Sequence, residues 1–251
     1  MSSIRTKGDR TRQKSVGQRV PPQQKPSQSG LIREAIFGLN DGLVATIGLV
    51  SGEALSHQGH KAILIAGLSA IGAAMVSMAV GSYLATSSEN DFMRKEVADQ
   101  KEAIHRHPHR ERHHVARILK SDIGVPLSNV PTVTENIVKS RPRWLNFMVR
   151  ENLGIHQNRA EAPLKNSAVM AISVIIGSTP PVLPYLLPIA LVEARNASWA
   201  LSVMAALALG ALKGHLTRTS LLRSAISFGI LVSLSAVVGA LIGFGLGQIG
   251  I

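Results

Sequence analysis

Residues 61–85 read KAILIAGLSAIGAAMVSMAVGSYLA, and after Lys61 the stretch holds only apolar, small and hydroxyl-bearing side chains. A bilayer core requires about 20 mainly apolar residues per helix, so this stretch predicts a membrane-spanning helix. Four further segments share its character, which gives five predicted spans: residues 31–55, 61–85, 166–187, 197–212 and 224–249. The expected fold class is an all-α membrane protein with five transmembrane helices and a helical cytoplasmic insertion between helices 2 and 3.

Basic residues gather on one side of these spans. Eight of them lie in the chain up to Arg33, fourteen in residues 86–165 and three in residues 213–223, whereas the other two connections hold only Lys61 and Arg195. Because positively charged loops stay in the cytoplasm, we expect the N-terminus and the insertion inside and the C-terminus outside, in a bacterial cytoplasmic membrane. The net charge of +12 follows from this bias, so membrane lipid is an expected partner and nucleic acid is not.

The pattern divides the chain into four segments. Residues 1–30 are basic and rich in Pro, Gln and Ser, without the apolar core of a signal peptide, and are predicted to be a disordered tail. Residues 31–85 hold spans 1 and 2, residues 86–165 form a cytoplasmic helical region that resembles a metal-binding region, and residues 166–251 hold spans 3 to 5. The chain contains no cysteine, which excludes thiolate metal sites. No nucleophile–base set or nucleotide-binding loop indicates an enzyme.

Asp41 is the one carboxylate that lies well inside a predicted span. It follows Arg33 by eight residues, about 12 Å along a helix. Ionisable groups in a bilayer are costly and usually functional. The alternative is a protonated carboxyl, or one that caps a helix break at the turn signal Asn40-Asp41-Gly42. Glu53 lies near the outer end of the same span and is expected to be interfacial.

Two methionines lie on one face of the second span. Met75 and Met78 are three residues apart, and Met78 lies about 12 Å from the cytoplasmic end of its helix. Methionine is a common core filler. However, a carboxylate and a thioether at one depth on neighbouring helices would also form a weak site for a transition metal.

The insertion contains a histidine-rich tract, AIHRHPHRERHH. Imidazoles this dense suggest metal affinity, although the interspersed arginines would oppose a bound cation, and a solvated linker is the alternative. The histidines are His105, His107, His109, His113 and His114.

Several stretches together resemble the vacuolar iron transporter family, over roughly residues 31–250. Residues 33–44 (REAIFGLNDGLV) resemble its first helix, and residues 181–185 (PVLPY) its proline-rich third helix. The second helix is matched by Ser77-Met78, Gly81, Tyr83-Leu84 and Ser88-Glu89, and the end of the cytoplasmic metal-binding region by Phe147-Met148, Glu151 and Leu153-Gly154.

This resemblance implies a homodimer that exports ferrous iron, sometimes manganese, from the cytosol in exchange for protons. It implies an ion path between the two protomers, lined by Asp41 and Met78. It also implies that cytoplasmic helices gather ions through Glu111 and Met148.

The chain departs from the family pattern at several positions. Ala70 and Ser82 stand where glutamates are common in the second helix. Family glutamates of the cytoplasmic helices fall on Gln100, Ala103, His114 and Asn152. Glu102 and Glu151 adjoin these positions and are candidate substitutes, and His114 offers an imidazole. We therefore expect weaker affinity for hard cations and a shift towards ions that favour nitrogen, such as Zn²⁺.

Two alternatives stay open at this point. One is a transporter that carries another cation or solute on the same scaffold. The other is a membrane metal sensor or scaffold that does not transport. Retention of Asp41 favours transport, because a sensor has no need of an intramembrane carboxylate.

Overall fold

The computed structural model describes residues 26–56, 59–152 and 162–249, and every regular element among them is helical. Among these residues, five helices are long and apolar enough to cross a membrane, which confirms the predicted fold class. Residues 1–25 of the predicted tail, and Leu153-Gly154, lie outside the described residues. The α-helices in the described part of the chain are α1 (Pro26–Leu55), α2 (His60–Arg106), α3 (Pro108–Ser121), α4 (Val130–Val138), α5 (Arg141–Asn152), α6 (Pro163–Val182), α7 (Leu191–Leu216) and α8 (Leu221–Ile249).

The helices differ from the predicted spans mainly at their ends. Among the described residues, helix α1 includes Pro26 and the four residues after it, which precede the predicted span. Helix α6 continues through Pro180 and Pro181 into a short 3-10 helix, Leu183–Leu186. Helix α7 is ten residues longer than the predicted span, 26 residues against 16. The number of spans therefore agrees with the prediction, whereas the helices continue beyond several of the predicted ends.

Helix α2 is continuous over 47 residues, from the membrane span into the insertion. The sequence analysis ended the second span at residue 85, where the polar insertion was predicted to begin. No proline interrupts α2, and Ser, Thr and Asn are tolerated within a helix that packs against neighbours. The insertion is thus joined to the membrane bundle by one unbroken helix.

Helix α1 lies at the centre of the bundle, against α6 on one side and α8 on the other. A Cβ atom on Gly239 would meet the backbone carbonyl of Gly48, and one on Gly243 would meet that of Gly52. Small residues at such positions let two helix backbones approach closely in lipid. The glycine face of the fifth span therefore packs within the protomer, and it gives no support to a contact between protomers.

Substitution of Gly239 by valine is expected to disrupt this crossing. The new side chain would occupy the position of a backbone carbonyl, which cannot move without separating α1 from α8, so the cost should reach about 3 kcal/mol, the upper end for overpacked cores. The measurements are thermal stability and the monodisperse fraction of detergent-extracted protein. Gly245→Val is the matched control on the same helix, since a Cβ there meets nothing within 4 Å. Equal stability of the two variants would contradict this packing.

The insertion has its own apolar core at one end of the bundle. Helices α2, α3 and α5 contribute its buried side chains, and α4 packs against them. The core consists of Ile104, Val115, Ile118, Leu119, Trp144 and Met148.

Candidate functional site

Asp41 lies on the side of α1 that the rest of the protomer leaves uncovered. The exposed positions of this helix recur every four residues, at Arg33, Phe37, Ala45 and Leu49, and Asp41 lies between them and is partly exposed. Phe37 is 55% exposed and Leu49 37% exposed. The opposite side of α1 is buried against α6, α7 and α8. A carboxylate in the middle of an apolar span thus faces outward from the single chain.

Contacts between α1 and α2 fix how the two antiparallel helices align. Near the insertion, the Ser82 hydroxyl donates a hydrogen bond of 3.0 Å to the Glu34 carboxylate. At the other end, a Cβ on Gly67 would lie 3.7 Å from a methyl group of Val50. Interpolation between these contacts places Asp41 level with residues 75 and 76 of α2.

Both methionines of α2 therefore lie near the depth of Asp41. Met75 is level with it, and Met78 is three residues nearer the insertion, about 4.5 Å along the helix. Both side chains are partly buried. The sequence singled out Met78, and the alignment of the helices adds Met75 as a second sulfur at this level.

Glu34 is a buried carboxylate that the sequence analysis missed. Its side chain accepts the hydrogen bond from Ser82, and its other oxygen lies 3.4 Å from the guanidinium of Arg33. The sequence analysis treated Ser82 only as the loss of a family glutamate. In the folded chain, this serine instead supports the carboxylate of the neighbouring helix.

Buried polar side chains continue from Glu34 towards the insertion. Ser82, Thr86 and Asn90 recur at four-residue intervals on α2 and are all buried. Asn166 of α6 donates a hydrogen bond of 3.3 Å to the Thr86 hydroxyl. The ends of α1, α2 and α6 on this side of the bundle are thus joined through hydrogen-bonding groups.

A second polar site lies between α2 and α3 in the insertion, at a cavity of about 510 Å³. Glu111 is buried there, with 4% of its surface exposed. It accepts hydrogen bonds of 3.2 Å from the Gln100 amide and 3.2 Å from the Arg110 guanidinium. His114 Nδ1 lies 3.7 Å from the same carboxylate. The cavity is lined by Glu96, Asp99, Gln100, Ala103, Arg110, Glu111, His114 and Arg117.

This cavity brings together Gln100, Ala103 and His114, three of the four positions where the family pattern expects glutamates, beside Glu111. The side chain of Asn152, the fourth, lies outside the described residues. Two arginines also face the cavity, so its three carboxylates are opposed by two permanent cations. The arrangement favours a weak metal site over a strong one.

The other candidate ligands do not line this cavity. Met148 is fully buried in the apolar core of the insertion, beside Trp144. Glu102 points to the opposite side of α2 and forms an ion pair with Arg106. Glu151 pairs with Arg150 at 2.8 Å. Glu102 lies about 100° round the helix from position 103 and about 160° from position 100, which explains why it does not replace a carboxylate at either position.

The histidine tract is split between two places. His105 lines a separate cavity on the far side of α2, whereas His114 faces Glu111. His107, His109 and His113 are exposed. Within residues 26–56, 59–152 and 162–249, no group of three or more His, Asp and Glu side chains is arranged to hold a metal ion. The tract does not form a single metal centre in this conformation.

Comparison with known proteins agrees with the resemblance that the sequence shows. The model of the VIT family matches residues 32–244. Vacuolar iron transporter 1 of Arabidopsis thaliana is 32% identical over 195 residues, 78% of each chain. Vacuolar iron transporter 1 of Eucalyptus grandis is 32% identical over 213 residues, which cover 84% of this chain and 82% of that protein. Vacuolar iron transporter 1 of Oryza sativa subsp. japonica is 28% identical over 220 residues, 88% and 84% of the two chains.

Proposed function

The chain belongs to the VIT family, and from this membership we propose that it carries Fe²⁺ or Mn²⁺ out of the cytoplasm in exchange for protons. Members of the family are transporters and not enzymes, so metal-ion transport is the general function, and the ion and the proton coupling are what we propose. The observation that carries the proposal is Asp41, a partly exposed carboxylate halfway along an apolar helix. A cation crossing a region of low dielectric constant requires such a charge.

We propose that the chain forms a homodimer, which would give Asp41 this role. Exposed Phe37 and Leu49 could face lipid at no cost, but the carboxylate between them could not. A second copy of the chain packed on this side of α1 would cover Asp41 and bring two carboxylates, with their neighbouring methionines, to one path.

Proton exchange is supported by the carboxylates along α1. Asp41 can hold either a metal ion or a proton, and the return of a proton would reset it. Glu34 lies seven residues nearer the insertion, about 10 Å along the helix, and is held by Ser82. We assign it the role of a polar entry to the path. The basic residues on the insertion side favour placing that side, and the N-terminus, in the cytoplasm, with the C-terminus outside.

Zn²⁺ is included among the ions to be tested, because His114 stands beside Glu111 where the family pattern expects a carboxylate. Nitrogen ligands favour Zn²⁺ over Mn²⁺. In this proposal the insertion receives ions weakly and passes them to the membrane path.

Purified protein in liposomes tests the proposal. Fe²⁺ kept reduced, Mn²⁺, Zn²⁺ and Ca²⁺ are offered in turn, with a metal-sensitive dye inside and a pH-sensitive dye to follow protons. We expect Fe²⁺ and Mn²⁺ entry with opposite proton movement, and no Ca²⁺ entry. Protein-free liposomes provide the control. Failure of every divalent ion to cross, with correctly folded protein inserted in both orientations, would exclude the transport function.

A further inference from the structure

An apolar cavity of about 350 Å³ lies between α1, α7 and α8. Apart from Ser233 and the indole N–H of Trp199, its lining side chains are aliphatic or aromatic. Val237, Leu241 and Phe244 of α8 form part of its wall and are more than half exposed, so the cavity opens on the surface of the bundle. That surface belongs to membrane-spanning helices, and lipid is therefore what covers it.

The cavity runs from the middle of the bundle to the end opposite the insertion. Its inner end is at Val232, which packs in one cluster with Leu43, two residues from Asp41. Along α8 it extends from Val232 to Phe244, twelve residues or about 18 Å. One leaflet contributes about 15 Å to the bilayer core. The length therefore suits one acyl chain of the leaflet opposite the insertion.

Arg195 lies at the outer rim of this cavity. Trp199 lines the cavity and donates a hydrogen bond of 2.9 Å to the Ser51 hydroxyl, which sets the level of α7 against α1. Arg195 is one turn nearer the start of α7, which places it level with Leu55, a lining residue at the end of α1. Its guanidinium stacks over the ring of Trp199, 5.5 Å from the ring centre.

The hydrogen-bond donors of Arg195 are uncommitted. Its Nε is buried without a partner, and the side chain forms no ion pair or hydrogen bond with any described residue. Glu53 lies two residues from Leu55, about 160° round α1, and Glu193 lies as far round α7 from Arg195. A guanidinium stacked on an aromatic face keeps its planar edge free to donate to a phosphate group.

The cavity faces away from the proposed contact between protomers. Ile47 lines it and lies two residues from both Ala45 and Leu49, which belong to the exposed side of α1. It therefore points about 160° away from them. A second copy of the chain that covers Asp41 would leave this cavity open to lipid.

We propose that the cavity holds one acyl chain of an anionic phospholipid from the leaflet opposite the insertion, with the lipid phosphate bound by the Arg195 guanidinium. The apolar wall receives the chain, and the uncommitted donors at the rim receive the charged group. Because α1, α7 and α8 all contribute to the wall, the bound lipid would stabilise their packing. The inference depends on the membrane location of the chain and not on the transport proposal.

Quenching of Trp199 fluorescence by brominated lipid tests the site, because bromine on an acyl chain in the cavity would contact the indole. Trp144→Phe leaves Trp199 as the only tryptophan in the full chain. The indole N–H of Trp144 has no described hydrogen-bond partner, so this change removes no hydrogen bond. The protein is placed in phosphatidylcholine vesicles that contain increasing fractions of chain-brominated phosphatidylglycerol or chain-brominated phosphatidylcholine. We expect about fivefold higher affinity for phosphatidylglycerol, the effect of one basic residue near a membrane surface.

Two neutralising substitutions form a matched pair in this assay. Arg195→Gln should bring the ratio of the two affinities to about one, because it removes the donors at the rim. Lys61→Gln removes an exposed charge at the same end of the bundle and should leave the ratio unchanged. Equal affinity for the two lipids in the unsubstituted protein, or a preference that persists in Arg195→Gln, would overturn the site.

Filling the cavity separates a seated lipid from general attraction of charged headgroups. Ala240→Phe adds a ring to the cavity wall and leaves Arg195 intact, so it should weaken quenching by both lipids and remove the preference. Thermal unfolding checks its fold, and the Arg195→Gln and Lys61→Gln pair decides the matter if it is unstable. A preference retained in folded Ala240→Phe would mean that the chain is not seated in the cavity. Absence of quenching by either lipid would mean that another occupant, such as a second copy of the chain, covers it. Either result would reject the proposal.

Discussion

Asp41→Asn is expected to abolish divalent-metal flux and the accompanying proton movement in liposomes. Asparagine keeps the size of the side chain but can neither balance the charge of a cation nor carry a proton. At an effective dielectric constant of about 20, two unit charges 4 Å apart attract by about 4 kcal/mol, so loss of this attraction should reduce flux by about a hundredfold or more. The measurements are initial rates of metal entry and of pH change at equal protein content.

Glu193→Gln is the matched control for this substitution. Glu193 is an exposed carboxylate in the first turn of α7, outside the proposed path, and its neutralisation should leave flux unchanged. Met78→Leu and Met75→Leu should change the order of preferred ions without abolishing flux, because only a sulfur atom is lost at the level of Asp41. Wild-type flux in Asp41→Asn would place the path elsewhere and remove the main support for the proposed function.

Two carboxylates added to the cavity between α2 and α3 should raise its metal affinity by about a hundredfold, or about 2.7 kcal/mol. Gln100→Glu would replace the amide now 3.2 Å from Glu111 by an acid, and Ala103→Glu would add another, beside the three carboxylates that already line the cavity. Without metal these charges repel one another, so the double variant should unfold at a lower temperature than the unsubstituted protein. Binding of Mn²⁺ or Zn²⁺ should restore the stability.

Isothermal titration and thermal unfolding of the detergent-solubilised full chain measure both effects. Ala98→Glu with Asn146→Glu is the control, since it adds the same charge to the separate cavity on the far side of α2, which Lys101 and Arg141 line. It should not increase metal affinity. Equal gains in both double variants would mean that added charge alone attracts the ions, and that the cavity beside Glu111 is not a metal site.

The sequence predicted the number and order of the spans because lipid leaves few alternatives for an apolar segment. It could not say which neighbour each glycine would meet, since the same spacing serves contacts within and between chains. Gly239 illustrates this limit, because its partner is Gly48 of the same chain. The lengths of helices were also hard to predict where polar residues pack against other helices, as Thr86 does against Asn166.

The candidate site residues differ in the same way: some could be predicted from the local sequence, and others depend on contacts between distant parts of the chain. Asp41 could be found from its chemistry alone, because a carboxylate in an apolar run is conspicuous. Glu34 was missed, since its burial depends on a contact with a residue 48 positions further along the chain. Met148 resembles a ligand in sequence, but its burial in the core of the insertion appears only when α2, α3 and α5 come together.

The unbroken course of α2 has a mechanical consequence. At 1.5 Å per residue, its 47 residues form a rod of about 70 Å. Met78 and Gln100 are fixed to this rod about 33 Å apart, with neither a proline nor a described break between them. A tilt of 5° about one end displaces the other by about 6 Å, more than one turn of helix. A tilt of the insertion would therefore be transmitted along helix α2 to the wall of the proposed membrane path.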